Sequence, residues 1–255
     1  MYSKNENKVI KKIVKRVPLI GIIAKKINRR LKGISSFKTS GKYWEELYQK
    51  GGNSGEGSYN NLAEFKAEVI NSFVKENNIL RVIEFGCGDG NQLKFFDFDS
   101  YLGYDVSPSA ISICVELFKN DATKQFKVID SEINETADLT LSLDVIYHLI
   151  EEDTYQKYME RLFKHSNRFV IIYSSNFNEP EITRAVPHVK HRKFEDWVKN
   201  REPKFKLVKY IPNKYPYNGD FNISSFADFY IYEKQDNNNT NMVNVQKDEE
   251  NNLKI

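Results

Sequence analysis

Arg81-Val82-Ile83-Glu84-Phe85-Gly86-Cys87-Gly88-Asp89-Gly90 is a β-prone run of five residues that breaks into a loop with three glycines. Glycines at the end of a strand permit positive φ and let a ligand approach the backbone without Cβ interference. A dinucleotide fingerprint G-x-G-x-x-G would need its third glycine at position 91, which is Asn91. The pattern here is G-x-G-x-G with Glu84 before it and Asp89 inside it. Those acids would repel a pyrophosphate and suit a ligand carrying an amino-acid moiety and a ribose. Nineteen residues after Gly86, Tyr104-Asp105-Val106 places Asp105 at the end of the next strand. A carboxylate there can accept both ribose hydroxyls, so an adenosine compound is the expected ligand.

Outward from this loop, strand and helix patterns alternate. Leu62, Phe65, Val69 and Phe73 mark a helix before the loop, and Leu93–Phe96 a short helix after it. A strand over Tyr101–Val106 leads to Ser107-Pro108, an N-cap with proline at the first helical position. That helix runs through Ile111, Cys114, Val115 and Phe118. Strands follow at Phe126–Ile129 and Leu139–Val145, then a helix through Tyr155, Tyr158, Met159 and Leu162, then a strand at Arg168–Tyr173. A helix through Phe194, Trp197 and Val198 precedes two late β-like runs, Lys206–Ile211 and Phe226–Tyr232. Strand alternating with helix implies a single doubly wound α/β domain with its sheet covered on both faces.

The charge is unevenly placed. Of the 255 residues, the first 40 hold twelve Lys/Arg against Glu6 alone, or +11, while the whole chain is +3, so the remainder is 3 − 11 = −8. An acidic body argues against nucleic-acid binding. Residues 1–39 form a basic extension in which residues 8–31 read as two short amphipathic helices interrupted at Pro18 and Gly21. They suit an anionic membrane surface or a glycan-assembly partner; packing on the body or fraying in solution is the plainer alternative. Residues 235–255, rich in asparagine, read as a disordered tail. Residues 40–234 carry the domain. No run reaches the roughly 18 apolar residues that span a bilayer, and no secretory leader is recognised at the start. Two cysteines, Cys87 and Cys114, make no disulfide framework or zinc site. A reduced, cytoplasmic setting is expected, with peripheral placement at the inner membrane face.

The stretch Val82–Gly90 resembles the first motif of class I S-adenosylmethionine-dependent methyltransferases. Tyr104-Asp105-Val106-Ser107 resembles their second motif, Lys127-Val128-Ile129-Asp130 their third, and Ala137–Leu149 the fourth-strand motif ending D-V-x-x-H-L. The resemblance spans residues 40–232 and implies a seven-stranded Rossmann-like sheet, mostly parallel, with an antiparallel last strand. It implies S-adenosyl-L-methionine as cofactor. Glu84, Gly86, Gly88 and Asp89 would surround its methionine end. Asp105, with Val106 beside it, would hold the ribose, Asp130 the adenine amino group, and Asp144 and Val145 the neighbourhood of the methyl. Tyr43, Trp44 and Tyr48 resemble the start of an N-terminal cover; Trp44 and Tyr48 read equally well as core residues of a helix. The loop Gly51–Ser58, with four glycines in eight residues, is a lid or a plain linker. Stretches Gly55–Tyr59, Leu141–Leu149, Ile171–Ser175 and His188–Arg192 further resemble bacterial surface-polysaccharide (capsule or O-antigen) methyltransferases. That resemblance implies O-methylation of a carbohydrate or nucleotide-linked acceptor.

Methylating a neutral hydroxyl calls for a general base, commonly histidine. His148 follows the fourth strand, and His188 and His191 follow the fifth, all at the carboxyl edge of the sheet; His148 could instead orient its loop. His165 reads as a solvated cap at a helix end. His188-Val189-Lys190-His191-Arg192-Lys193 admits three readings: a clamp for phosphate or carboxylate using Lys190 and Arg192, an H-x-x-H pair lacking a third metal ligand, or a solvated basic loop. No metal is expected. Rival acceptors are a phosphate or phosphoramidate oxygen or a small metabolite. Rival classes are a nicotinamide oxidoreductase and a non-catalytic partner protein.

Overall fold

Buried strands bounded by amphipathic helices require a sheet sandwiched between helical layers, and the computed structural model has that arrangement. It describes residues 37–129, 132–178 and 186–235. The basic extension through residue 36, the tail from residue 236 and Asp130 lie outside the described residues. Helices α1 (Ser40–Gln49) and α2 (Asn60–Glu76) precede β1 (Arg81–Phe85). Then come β2 (Ser100–Asp105), α3 (Pro108–Leu117), β3 (Lys124–Val128) and β4 (Ala137–Leu143). The series closes with α4 (Glu152–Lys164), β5 (Ser166–Ser174), α5 (Phe194–Arg201), β6 (Phe205–Ile211) and β7 (Asp228–Lys234).

The seven strands lie in the order β3-β2-β1-β4-β5-β7-β6. The first five in that order pair in parallel, whereas β7 is antiparallel to both β5 and β6. Val82 packs with Ile70, Phe73 and Leu139 in a core on the α2 and α3 side. Ile83 and Phe85, one residue out of phase, pack with Met159, Leu162 and Trp197 on the α4 and α5 side. Glu84 shares the phase of Val82, which turns a carboxylate toward α2.

The expected cap at Ser107 forms, its Oγ accepting from the Ala110 N–H at 3.0 Å. His165 departs from its expected solvated position. It ends α4 but is buried, with Nδ1 2.7 Å from the Glu135 carbonyl and its own carbonyl accepting from the Ala137 N–H. The segment leading into β4 folds across it and excludes water.

Candidate active site

The chain runs β1, β2, β3 to one side and returns to place β4 against β1, so the loops after β1 and β4 diverge. A crevice opens at that reversal. Gly86 and Gly88 have φ of +86° and +57°, a turn that L side chains rarely adopt. The turn lets the Gly88 N–H donate to Asp105 Oδ2 at 3.0 Å, while the Ser107 N–H donates to Oδ1 at 2.9 Å. Two strand ends are thereby tied together around a cavity of about 420 Å³. Trp44, Glu84, Gly86, Gly88, Asp105, Val106, Asp144 and Val145 line it, and Tyr43 does not. Burial raises the Asp105 carboxyl to about 6, against the backbone N–H groups of Ser107 and Gly88 that favour the anion. Burial raises Glu84 to about 7, opposed by the Tyr101 hydroxyl, which donates to it at 2.6 Å, and by the charge of Lys66.

Two carboxylate latches hold helix α1 over this cavity, and a third holds the loop that follows it. Glu151 accepts from the Ser40 N–H and hydroxyl at 2.9 and 2.7 Å. Glu45 accepts from the Ser107 and Ser109 hydroxyls at the start of α3. At the far end Asp89 accepts from the Ser54 N–H and the Tyr59 hydroxyl, each at 2.9 Å, while its own N–H donates to Ser54 Oγ. This corrects the expectation for Asp89. Its carboxylate faces the 51–58 loop instead of the cavity, because Ser54 and Tyr59 reach it from the lid side. Trp44 and Tyr48 both line the cavity, and Tyr48 lies 3.0 Å from Ser54 Oγ, so they belong to the roof.

A second cavity of about 650 Å³ adjoins the first, and Trp44, Ser54, Asp144 and His148 line both. Asp144 is the pivot between them. It is a non-glycine residue with φ of +61°, held by Lys66 Nζ on Oδ2 and the Tyr147 hydroxyl on Oδ1, each at 2.7 Å. Lys66 is fully buried and also sits 5.2 Å from the centre of the Tyr173 ring. Sequence reading passed over it, although one signal was there: a lysine inside the apolar stripe Leu62, Ile70, Phe73. Glu151 and Ser54 were passed over as well, since their roles arise only from contacts distant in sequence, and so was Tyr147, although its partner Asp144 is three residues away.

His148 Nδ1 lies 2.9 Å from the His188 carbonyl. A carbonyl only accepts, so Nδ1 carries the proton and Nε2 holds the lone pair of the neutral ring. Burial lowers its pKa to about 4, only partly offset by that hydrogen bond. The ring packs edge-on against Trp44, with centroids 4.9 Å apart. His188 and His191 line the second cavity, His188 stacked on Tyr43 at 4.4 Å and His191 with Nδ1 2.6 Å from Ser175 Oγ. The clamp reading of Lys190 and Arg192 is overturned. Arg192 is buried outside both cavities, donating to the Leu149 and Ile150 carbonyls at 2.5 and 3.0 Å and stacking on Tyr155. Lys190 pairs with Glu152 at 3.8 Å and faces neither cavity. A guanidinium buried beside two bare carbonyls satisfies them and staples the loop before α4.

Residues 83–171, from β1 to the middle of β5, match a family described as a methyltransferase domain. Over that stretch the chain matches a methyltransferase domain, and its sheet has the Rossmann-like methyltransferase fold, for which S-adenosylmethionine is the cofactor. Its fold is similar to that of the N-methyltransferase NodS from Bradyrhizobium japonicum WM9, solved with S-adenosyl-L-homocysteine. That likeness has a TM-score of 0.60 at 13% identity, over 78% of this chain and 100% of that one. The methyltransferase domain of bacterial CtHen1 is similar with a TM-score of 0.55 at 20% identity, over 69% of this chain and 100% of that one. Magnesium protoporphyrin IX methyltransferase from Synechocystis PCC 6803 is similar with a TM-score of 0.52 at 12% identity, over 76% and 94%. A search of curated proteins returned no match. The donor set of the first cavity suits S-adenosylmethionine. Asp105 stands where two ribose hydroxyls would donate and Glu84 where an ammonium would. Lys66, the one Lys or Arg among the described residues lining that cavity, stands where a carboxylate would accept.

Proposed function

We propose that this methyltransferase transfers a methyl group to a neutral hydroxyl of a sugar-like acceptor seated in the second cavity, with His148 as general base. The observation that carries the reading is the lining of that cavity. It is built of aromatic rings, three histidines and two acids, Glu56 and Asp144, with no Lys or Arg among the described residues. An anionic phosphate-type acceptor would meet carboxylates there and no cation. A neutral polyhydroxylated ring can stack on Trp44 or Tyr217 and bond to histidine. The four stretches that resemble surface-glycan enzymes support a carbohydrate acceptor.

When bound, S-adenosylmethionine supplies an electrophilic methyl on a sulfonium. The chain's own part would be to hold the acceptor hydroxyl against that methyl and to take its proton at His148 Nε2. The lid formed by α1 and the 51–58 loop excludes water, and Trp44 fixes the ring that takes the proton. Low basicity is the consequence of burying His148. The nearby Asp144 carboxylate offsets it by stabilising the imidazolium as it forms.

The test is S-adenosylhomocysteine release with a panel of uncharged glycosides against the matching sugar phosphates, for the wild type and His148→Gln. Turnover confined to the phosphorylated acceptors, or an undiminished His148→Gln rate, would refute the proposal.

A further inference from the structure

The mouth of the second cavity is walled by exposed aromatic side chains, an unusual use of surface for a soluble substrate. Phe177, Phe226, Tyr217 and Phe221 form a continuous ring chain with centroids 5.8, 4.0 and 4.5 Å apart in that order. Phe221 is 58% exposed and the nearby Ile223 51%, and Phe177, Val186 and Phe226 are exposed as well. They come from the segments after β5 and between β6 and β7, both at the carboxyl edge of the sheet. Isolated exposed apolar residues need no explanation, but a contiguous group rimming a cavity marks an interaction surface.

The chemistry of the occupant is indicated by what joins the domain at the same cavity. Residues 1–36 carry eleven Lys/Arg against one acid. They enter the described domain at Phe37, whose ring is 6.2 Å from Tyr43. Tyr43 lines the second cavity and stacks on His188 in its wall. A strongly basic segment thus joins the domain at the cavity whose aromatic rim carries one acid, Asp220, and no Lys or Arg over residues 217–226. A protein partner could satisfy either feature alone. Cations beside partly inserting aromatic residues are the combination that matches an anionic lipid surface, where headgroups meet the charge and acyl chains meet the rings.

We propose that the methyltransferase docks the mouth of its second cavity on an anionic membrane surface, from which an amphiphilic acceptor enters. The acceptor would lay its apolar portion along Phe221, Phe226 and Phe177 and offer its hydroxyl to His148. This rests on the second cavity being the acceptor site.

The test is co-sedimentation of the full chain with vesicles of phosphatidylcholine alone and of phosphatidylcholine with phosphatidylglycerol. Three proteins are compared: wild type, Phe221→Ser/Ile223→Ser, and Lys25→Glu/Lys26→Glu/Arg29→Glu/Arg30→Glu. S-adenosylhomocysteine binding, at the other cavity, reports that each is folded. Wild type should bind the anionic vesicles and release them with salt. Removing the two apolar side chains should weaken that binding about ten-fold or more, and reversing the four charges should abolish the preference for phosphatidylglycerol. Absence of wild-type binding overturns the proposal. So does full binding by Phe221→Ser/Ile223→Ser, which would assign the affinity to the basic segment alone. Concentration-dependent dimers in light scattering that disappear in the serine variant, without vesicle binding, would assign the patch to a second copy of the chain. Turnover on soluble glycosides is read separately, so failure of the acceptor reading and failure of membrane docking give different results.

Discussion

Replacing Lys66 by methionine keeps the length of the side chain and removes its charge from the middle of the molecule. The pair it breaks joins a buried lysine to a half-buried carboxylate, with Lys66 1% and Asp144 12% exposed and Nζ 2.7 Å from Oδ2. Afterwards the Asp144 carboxylate keeps the Tyr147 hydroxyl and has no counter-ion within reach. Breaking one side of such a pair costs about 3–5 kcal/mol, which in a domain of this size lowers Tm by roughly 6–20 °C. Lys66→Met/Asp144→Asn should recover much of that loss, because neutralising both partners leaves no uncompensated charge. Asn also tolerates the left-handed backbone of position 144. Binding separates the structural role from the ligand role. S-adenosylhomocysteine presents a carboxylate to this cavity, and 5′-methylthioadenosine lacks the amino-acid end altogether. Loss of a charge-assisted hydrogen bond of about 1.5–3 kcal/mol should weaken the first ligand roughly ten- to 150-fold and leave the second unchanged. Calorimetry with both ligands on wild type and both variants, alongside thermal melts, makes the measurement. Equal weakening of the two ligands would refute the carboxylate contact, and a melting temperature unchanged in Lys66→Met would refute the buried pair.

Cofactor affinity should rise with pH, since Glu84 at about 7 and Asp105 at about 6 must ionise to receive an ammonium and a ribose diol. Titration by calorimetry should place the upper part of that rise near 7 in wild type and remove it in Glu84→Gln; a flat profile would contradict the assignment. The same raised values mean that the ligand-free fold binds protons more tightly than the unfolded chain. These two groups therefore make it lose stability as pH climbs through that window, which denaturant melts at several pH values would detect. His148→Gln should lower turnover by roughly 10²–10⁴, well beyond any change in cofactor affinity from its place in the wall of the first cavity. In wild type the acid limb of the rate should fall near 4, where the buried ring protonates, and a limb at the usual histidine value would show that it is not the base. Arg192→Ala should act on stability, costing about 1–3 kcal/mol for each carbonyl it leaves unpaired, measured by chemical denaturation. A selective rise in KM for anionic acceptors would instead restore the clamp.

The sheet was legible in the sequence because its information is local. Short apolar strand runs, helical stripes and the Ser107-Pro108 cap act over a few residues, so each strand and helix expected within the described residues lay within a few residues of its place. The glycine loop was legible for the same reason, since positive φ at Gly86 and Gly88 is a property of those residues alone. Asp89 was not, because its partners Ser54 and Tyr59 come from a loop some thirty residues upstream that only folding brings across it. Arg192 shows the point most plainly. In sequence it belongs to a basic run beside two histidines, and in the fold its guanidinium is drawn inward to the Leu149 and Ile150 carbonyls and the Tyr155 ring. Lys66 was hidden by the opposite effect, a charge lying in an apolar stripe whose partner Asp144 is 78 residues away. Sequence by itself determined the elements, the glycine turn and the acid that follows it, because backbone preference and hydrophobic period are short-range. Only the tertiary structure decided which charges face a cavity and which are neutralised beneath it, because burial and pairing depend on neighbours that the chain supplies from far away.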